Sequence, residues 1–182
     1  MIETTMQHTH DTCMRLALVQ DQCFAHARRA VRLVLAAIPA VGGFFAGLNT
    51  TPGMLLLVLA VMFYYFTASM YQQDGERAFR AIPEALRQVR YRFGPEGFAV
   101  ITGGEERQLP YADLYALICD GAYYYLFINP QQAYMMQVRS ADEQAFRSLV
   151  SEKTGKKWRS VQAKEGLLQS LRSRAQAGRG AQ

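Results

Sequence analysis

The chain has 182 residues, a formal net charge of +5, and a composition that is 50% hydrophobic and only 19% charged. That length suits one ordinary domain, or a small domain with an accessory segment, and excludes a large barrel enzyme or a many-helix transporter. Global disorder is excluded too, because 10 Phe and 10 Tyr can bury a core. The averages hide two unusual regions. Residues 33–71 contain no Lys, Arg, Asp, Glu or His. Residues 156–182 carry seven basic residues against the single acid Glu165.

The N-terminal segment, 1–29, holds every His and two of the three Cys: His8, His10, Cys13, Cys23 and His26. Soft thiolate and borderline imidazole ligands suit zinc or copper, and Cys23 and His26 can share one helix face. No repeated CxxC fixes a site, so ordinary solvated or packed residues are the favoured reading, and no metal or other cofactor is expected. The stretch before Met14 is polar, as in a flexible terminus.

The uncharged region splits in two. Residues 33–48 make about 16 helical residues, roughly 24 Å, and residues 53–71 about 19, roughly 28 Å. A bilayer core is about 30 Å thick. Ala30 and Val31 lengthen the first span, with Arg32 snorkelling to the interface. Asn49-Thr50-Thr51-Pro52 is a turn, so residues 30–72 read as a transmembrane hairpin. Arg28, Arg29 and Arg32 precede the first span and Arg77, Arg80, Arg87, Arg90 and Arg92 follow the second, which puts both termini in the cytoplasm. Within the first span, Pro39, Gly43 and Gly47 share a face at four-residue spacing, a GxxxG pattern that lets backbones approach closely. It serves either packing inside the hairpin or a homo-oligomer. No ionisable side chain lies in the spans to carry a proton or an ion.

Residues 73–88 continue as a juxtamembrane helix, with Phe79, Ile82 and Leu86 at helical spacing and Pro83 as an interruption. From Val89 the period becomes two. Turns at 94–97, 103–105, 120–121 and 129–130 separate short β-prone runs. Ser140 then reads as the N-cap of a helix, with Glu143 completing the box, Phe146, Leu149 and Val150 as its apolar stripe and Gly155 as its end. The fold class is therefore α+β. A transmembrane α-hairpin is followed by a small antiparallel barrel or sheet, residues 89–155, capped by a C-terminal helix in a pleckstrin-homology-like (PH-like) outline.

Candidate chemistry is sparse. Ser-His or Cys-His catalysis finds no His in residues 89–155. Asp113 and Asp120 are the best carboxylate pair, yet both stand at turn positions, where Asp has a structural task. Cys119 reads as a small buried hydrophobe. Tyr123 and Tyr125 share one strand face opposite Tyr124, serving either core packing or a peptide-binding face. The tail, 156–182, begins Lys156-Lys157-Trp158-Arg159. Leu167, Leu168 and Leu171 form one stripe farther on, so an amphipathic helix on anionic lipid is one reading and a solvated tail the other. Charge alone does not support a nucleic-acid partner.

The order of these elements resembles the YcxB-like family of bacterial membrane proteins. The resemblance rests on Tyr91-Arg92-Phe93-Gly94-Pro95-Glu96-Gly97, Leu109-Pro110-Tyr111-Ala112-Asp113-Leu114, the run from Asp120-Gly121 through Tyr123, Tyr124 and Tyr125 to Phe127, and the helix with Glu143 and Phe146. It covers roughly residues 28–155. Two positions depart from the family pattern. Tyr111 stands where Trp is frequent, and Met135-Met136-Gln137-Val138-Arg139 stands where an apolar-Pro-Lys-Arg motif is usual. The resemblance implies an architecture in a bacterial inner membrane and no activity. The expected function is non-catalytic: a PH-like domain presented at the membrane for protein or lipid. The alternatives are a structural subunit of a larger membrane complex and a metal-binding accessory factor. Expected partners are the bilayer, anionic lipid at the tail and an unidentified protein.

Overall fold

A computed structural model describes residues 2–47, 49–68 and 70–161 of the chain. Alternation of Ile2, Thr4 and Met6 with Glu3, Thr5 and Gln7 forms β1 (Ile2–Gln7). A capping box starts α1 (His10–Phe24) at once: the Thr9 hydroxyl accepts from the Thr12 N–H, and the Thr12 hydroxyl accepts from the Thr9 N–H at 2.8 Å. Ala25, at ψ 36°, interrupts the helical path before α2 (His26–Ala46). Arg32 forms a bidentate pair with Asp21, at 2.8 and 3.2 Å, although the two are 11 residues apart. A straight helix would separate them by roughly 16 Å. The break at Ala25 therefore folds α1 back towards α2.

α3 (Thr51–Ala68) returns antiparallel along α2, and α4 (Met70–Ala81) packs along α1. The expected helix over 73–88 stops earlier, because Pro83 ends it; a single 3-10 turn (Glu84–Leu86) precedes the sheet. The strands follow in order: β2 (Gln88–Phe93), β3 (Gly97–Thr102), β4 (Glu105–Pro110), β5 (Ala116–Cys119), β6 (Tyr124–Asn129) and β7 (Gln132–Met136). α5 (Glu143–Thr154) and β8 (Trp158–Ser160) complete the described chain. Ser140 is not the cap of α5. The Asp142 N–H donates to the Arg139 carbonyl at 2.9 Å, so Ser140 is used up in a turn and Asp142 occupies the cap position.

The strands form two 4-stranded sheets rather than a closed barrel: β1-β2-β3-β4, all antiparallel, and β7-β6-β5-β8, with β8 parallel to β5. A 3-10 turn at Tyr111–Asp113 lies between β4 and β5 and lets the sheets part. The N-terminal segment is not a loose terminus. β1 pairs with β2 over its whole length, from Ile2 opposite Phe93 to Gln7 opposite Gln88. The helices α1 to α4 are thus an insertion between two paired strands.

Alternation gives the second sheet two buried faces. Its inner face carries Leu117, Tyr124, Leu126 and Met136 and packs on Tyr91, Phe93 and Phe98 of the first sheet, with α5 between. The Phe146 ring meets Phe93 at 5.0 Å, Tyr124 at 5.2 Å and Trp158 at 5.7 Å. The outer face carries Ile118, Tyr125 and Phe127, and α1 covers it through Val19, Cys23 and Phe24. The Phe24 and Phe127 rings lie 4.8 Å apart. Burial of such aromatics supplies the largest favourable share of folding.

Candidate functional site

The strongest polar constellation sits where α1 meets the β5–β6 turn. Gly121 at φ 86° makes that turn, and the Asp120 carboxylate accepts from the Ala122 and Tyr123 N–H groups at 3.0 and 2.9 Å. Asp120 also accepts from Arg15 Nε and from the Tyr125 hydroxyl, each at 2.6 Å. Its side chain is fully buried. Burial alone would raise the Asp120 pKa, but these four hydrogen bonds outweigh it and hold the carboxyl below its ordinary value. Burial, and then the bond to Asp120, push the Tyr125 phenol far above its ordinary range. All these groups are committed to one another, so the arrangement is a latch between α1 and the sheet. Asp113 sits exposed at the end of its 3-10 turn and shares no hydrogen bond with Asp120.

A second latch ties the helices together. Arg28 pairs with Asp74 at 3.0 Å, and His10 lies 2.6 Å from Glu76 with its ring edge-on to Phe79. The Glu76 bond is the main reason that the His10 pKa is raised. Gly75 lets α4 touch α1: a Cβ there would stand 2.9 Å from the Met14 Cα. Within the apolar hairpin, a Cβ on Gly43 would stand 2.9 Å from the Gly53 carbonyl oxygen, and one on Gly53 only 2.2 Å from that of Gly47. Gly43 and Gly47 therefore face α3 of the same chain, while Pro39 lies within α2. Gly53 is the third partner, and a reading of α2 alone misses it.

The remaining sequence candidates separate. His8, its pKa lowered by burial, and the buried Cys13 and Cys23 do not converge with His10 and His26; among the described residues no three metal-ligating side chains come together. Tyr125 is fully buried and offers no face to a partner; Tyr123 is half-buried, with the Arg15 guanidinium 5.2 Å from its ring centre. Trp158 is half-buried in β8, packs on Phe146 and Tyr124, and donates from Nε1 to the Arg147 carbonyl at 3.0 Å. Lys157 and Arg159 flank it as exposed cations, whereas Lys156 is half-buried. The stripe at Leu167, Leu168 and Leu171 lies outside the described residues.

Two grooves among the described residues bear on binding. One, of about 460 Å³, lies among the end of α1, the start of α2, α4 and the β6–β7 turn. The other, of about 630 Å³, runs along the seam between the sheets, lined by β1, Arg90 and residues 137–140. Sequence reasoning missed both, because each is built from segments far apart in the chain.

Among the described residues, two helical stretches, His26–Ala46 and Thr51–Ala81, are long and apolar enough to cross a membrane. Neither the curated proteins nor the solved structures contain a match to the chain. A family model described as YcxB-like protein matches residues 93–150, the span from the end of β2 into α5, and over that span the chain is similar to that family.

Proposed function

We propose that the protein is a non-catalytic, multi-pass protein of the bacterial inner membrane. In this reading α2 and α3 cross the bilayer, both termini lie in the cytoplasm, and a PH-like domain is held at the membrane surface to bind protein or lipid. One observation carries the proposal: the large exposed apolar side chains concentrate on the hairpin. Leu33, Ile38, Phe44 and Phe45 of α2 and Leu55, Met62, Tyr65 and Phe66 of α3 all face outward, while Tyr91, Phe93, Phe98, Tyr124, Tyr125 and Phe127 of the two sheets are buried. A continuous apolar surface of this extent supports a lipid setting for the hairpin. Arg32 fits that setting because Asp21 neutralises it at the end of the span. Two sheets in a meander closed by α5 support the PH-like reading.

Cysteine accessibility tests the topology. The three native thiols are buried, so background labelling is low. Asn49→Cys should react with a membrane-impermeant maleimide on intact spheroplasts, and Glu105→Cys only after permeabilisation. Equal labelling of both on intact spheroplasts overturns the arrangement. Photocrosslinking of the full chain in membranes, from exposed positions on the sheets, tests the binding role. Reproducible absence of any adduct to protein or lipid removes it.

A further inference from the structure

The seam between the sheets ends in an open strand edge. β1 uses one side to pair with β2, and its other side faces residues 137–140 across the groove. The Thr4 hydroxyl donates across to the Gln137 carbonyl. Among the described residues no backbone hydrogen bond makes the same crossing. The outward N–H and C=O groups of β1 thus have no ladder partner, and an open edge of this kind pairs readily with another extended chain. The edges at β4 and β8 are poorer templates: β4 carries Glu105, Glu106 and Arg107 and ends on Pro110, and β8 is only 3 residues long. The remaining edge, β7, lies against β1 and runs into residues 137–140 of the same groove, so it belongs to the same seam.

Charge decides what fits. Arg90 and Arg139 line the groove against one acid, Glu3. Glu3 is engaged by Arg90 at 3.7 Å. Arg139 is exposed and pairs with no carboxylate among the described residues. We infer that the groove accepts an extended peptide segment carrying an acidic side chain. The segment adds to β1 as a strand and places its carboxylate on Arg139. This proposal rests on the binding-module reading and names its surface and partner.

The test uses the full chain in lipid nanodiscs, with a phage-displayed library of random peptides as the probe. The proposal expects enriched peptides to combine a β-prone run with Asp or Glu. Their affinity should fall about tenfold on Arg139→Glu, and a peptide with its acid changed to Lys should recover affinity for that variant. Ser140→Trp, which fills the groove, should abolish binding. The fluorescence of Trp158, the single Trp, reports that Arg139→Glu remains folded, and circular dichroism reports the same for Ser140→Trp. Enrichment of peptides without an acid, or affinity unchanged by both substitutions, overturns the groove assignment but leaves a binding module that acts elsewhere. Failure to enrich any peptide above empty nanodiscs also overturns it, and the photocrosslinking result then decides the broader reading separately.

Discussion

Replacing Asp120 by Ala tests the latch most directly. The substitution removes the acceptor of four hydrogen bonds at once. The Tyr125 hydroxyl is fully buried and would be left without its acceptor, at about 1–3 kcal/mol. Arg15 is 34% exposed, so water would partly replace its lost partner. The two turn N–H groups would lose their cap, at roughly 1 kcal/mol by analogy with helix caps. These terms overlap, and the expected destabilisation is about 3–5 kcal/mol, the range for breaking a buried pair. For a chain of this size that lowers Tm by roughly 6–20 °C. The assay is thermal unfolding of the full chain in detergent, followed by fluorescence of Trp158, the single Trp, which packs on Phe146 and Tyr124. Tyr125→Phe and Arg15→Met should each cost less, and their double mutant should be non-additive, because both donate to the same carboxylate. A Tm for Asp120→Ala within about 2 °C of wild type refutes the latch. Acid should act in the same direction. The folded-state pKa of Asp120 is depressed, so its stabilisation is fully present above its unfolded value near 3.8 and is lost as pH falls through the folded value.

Three further outcomes follow from the helical contacts. Gly75→Val places side-chain atoms against the Met14 backbone, so α1 must lift from α4; it should destabilise by about 1–3 kcal/mol or more in the same unfolding assay, with Ala78→Val, on the same helix, as a comparison. Gly53→Leu should splay the hairpin, because even a Cβ meets the Gly47 carbonyl at 2.2 Å, and the disulfide yield between cysteines placed on α2 and α3 should drop. His10 should titrate above 6.5 by NMR and return towards that value in Glu76→Gln. Because the folded pKa is raised, the contribution of this pair is full below 6.5 and disappears as pH rises through the folded value. An unchanged His10 titration in Glu76→Gln would remove the assigned partner.

Much of the middle of the chain was readable in order. The period of two from Val89, Asp120-Gly121 at the β5–β6 turn, Asn129-Pro130 at the β6–β7 turn and Gly155 at the end of α5 all correspond to observed elements. The start of α5 was misplaced, because Ser140 and Asp142 both suit a cap and only the turn back to Arg139 chooses between them. The N-terminus was misread for a different reason. Ile2, Thr4 and Met6 alternate, and Leu16, Val19 and Cys23 make a helical stripe, but both signals are short and set among polar residues. What stabilises them lies more than 80 residues away, in β2 and in the β5–β6 turn.

Residue order alone therefore determined the two apolar spans, the tight uncharged turn between them and the succession of strands after α4. Local periodicity and turn chemistry act over a few residues, so a sequence displays them directly. The partnership of β1 with β2, the burial of the second sheet on both faces, the Asp120 latch and the groove at the seam were decided by tertiary structure. Each depends on which distant segment supplies the second half of a hydrogen bond, an ion pair or a packed face. Pairing of that kind is a property of the folded chain and leaves no spacing to read.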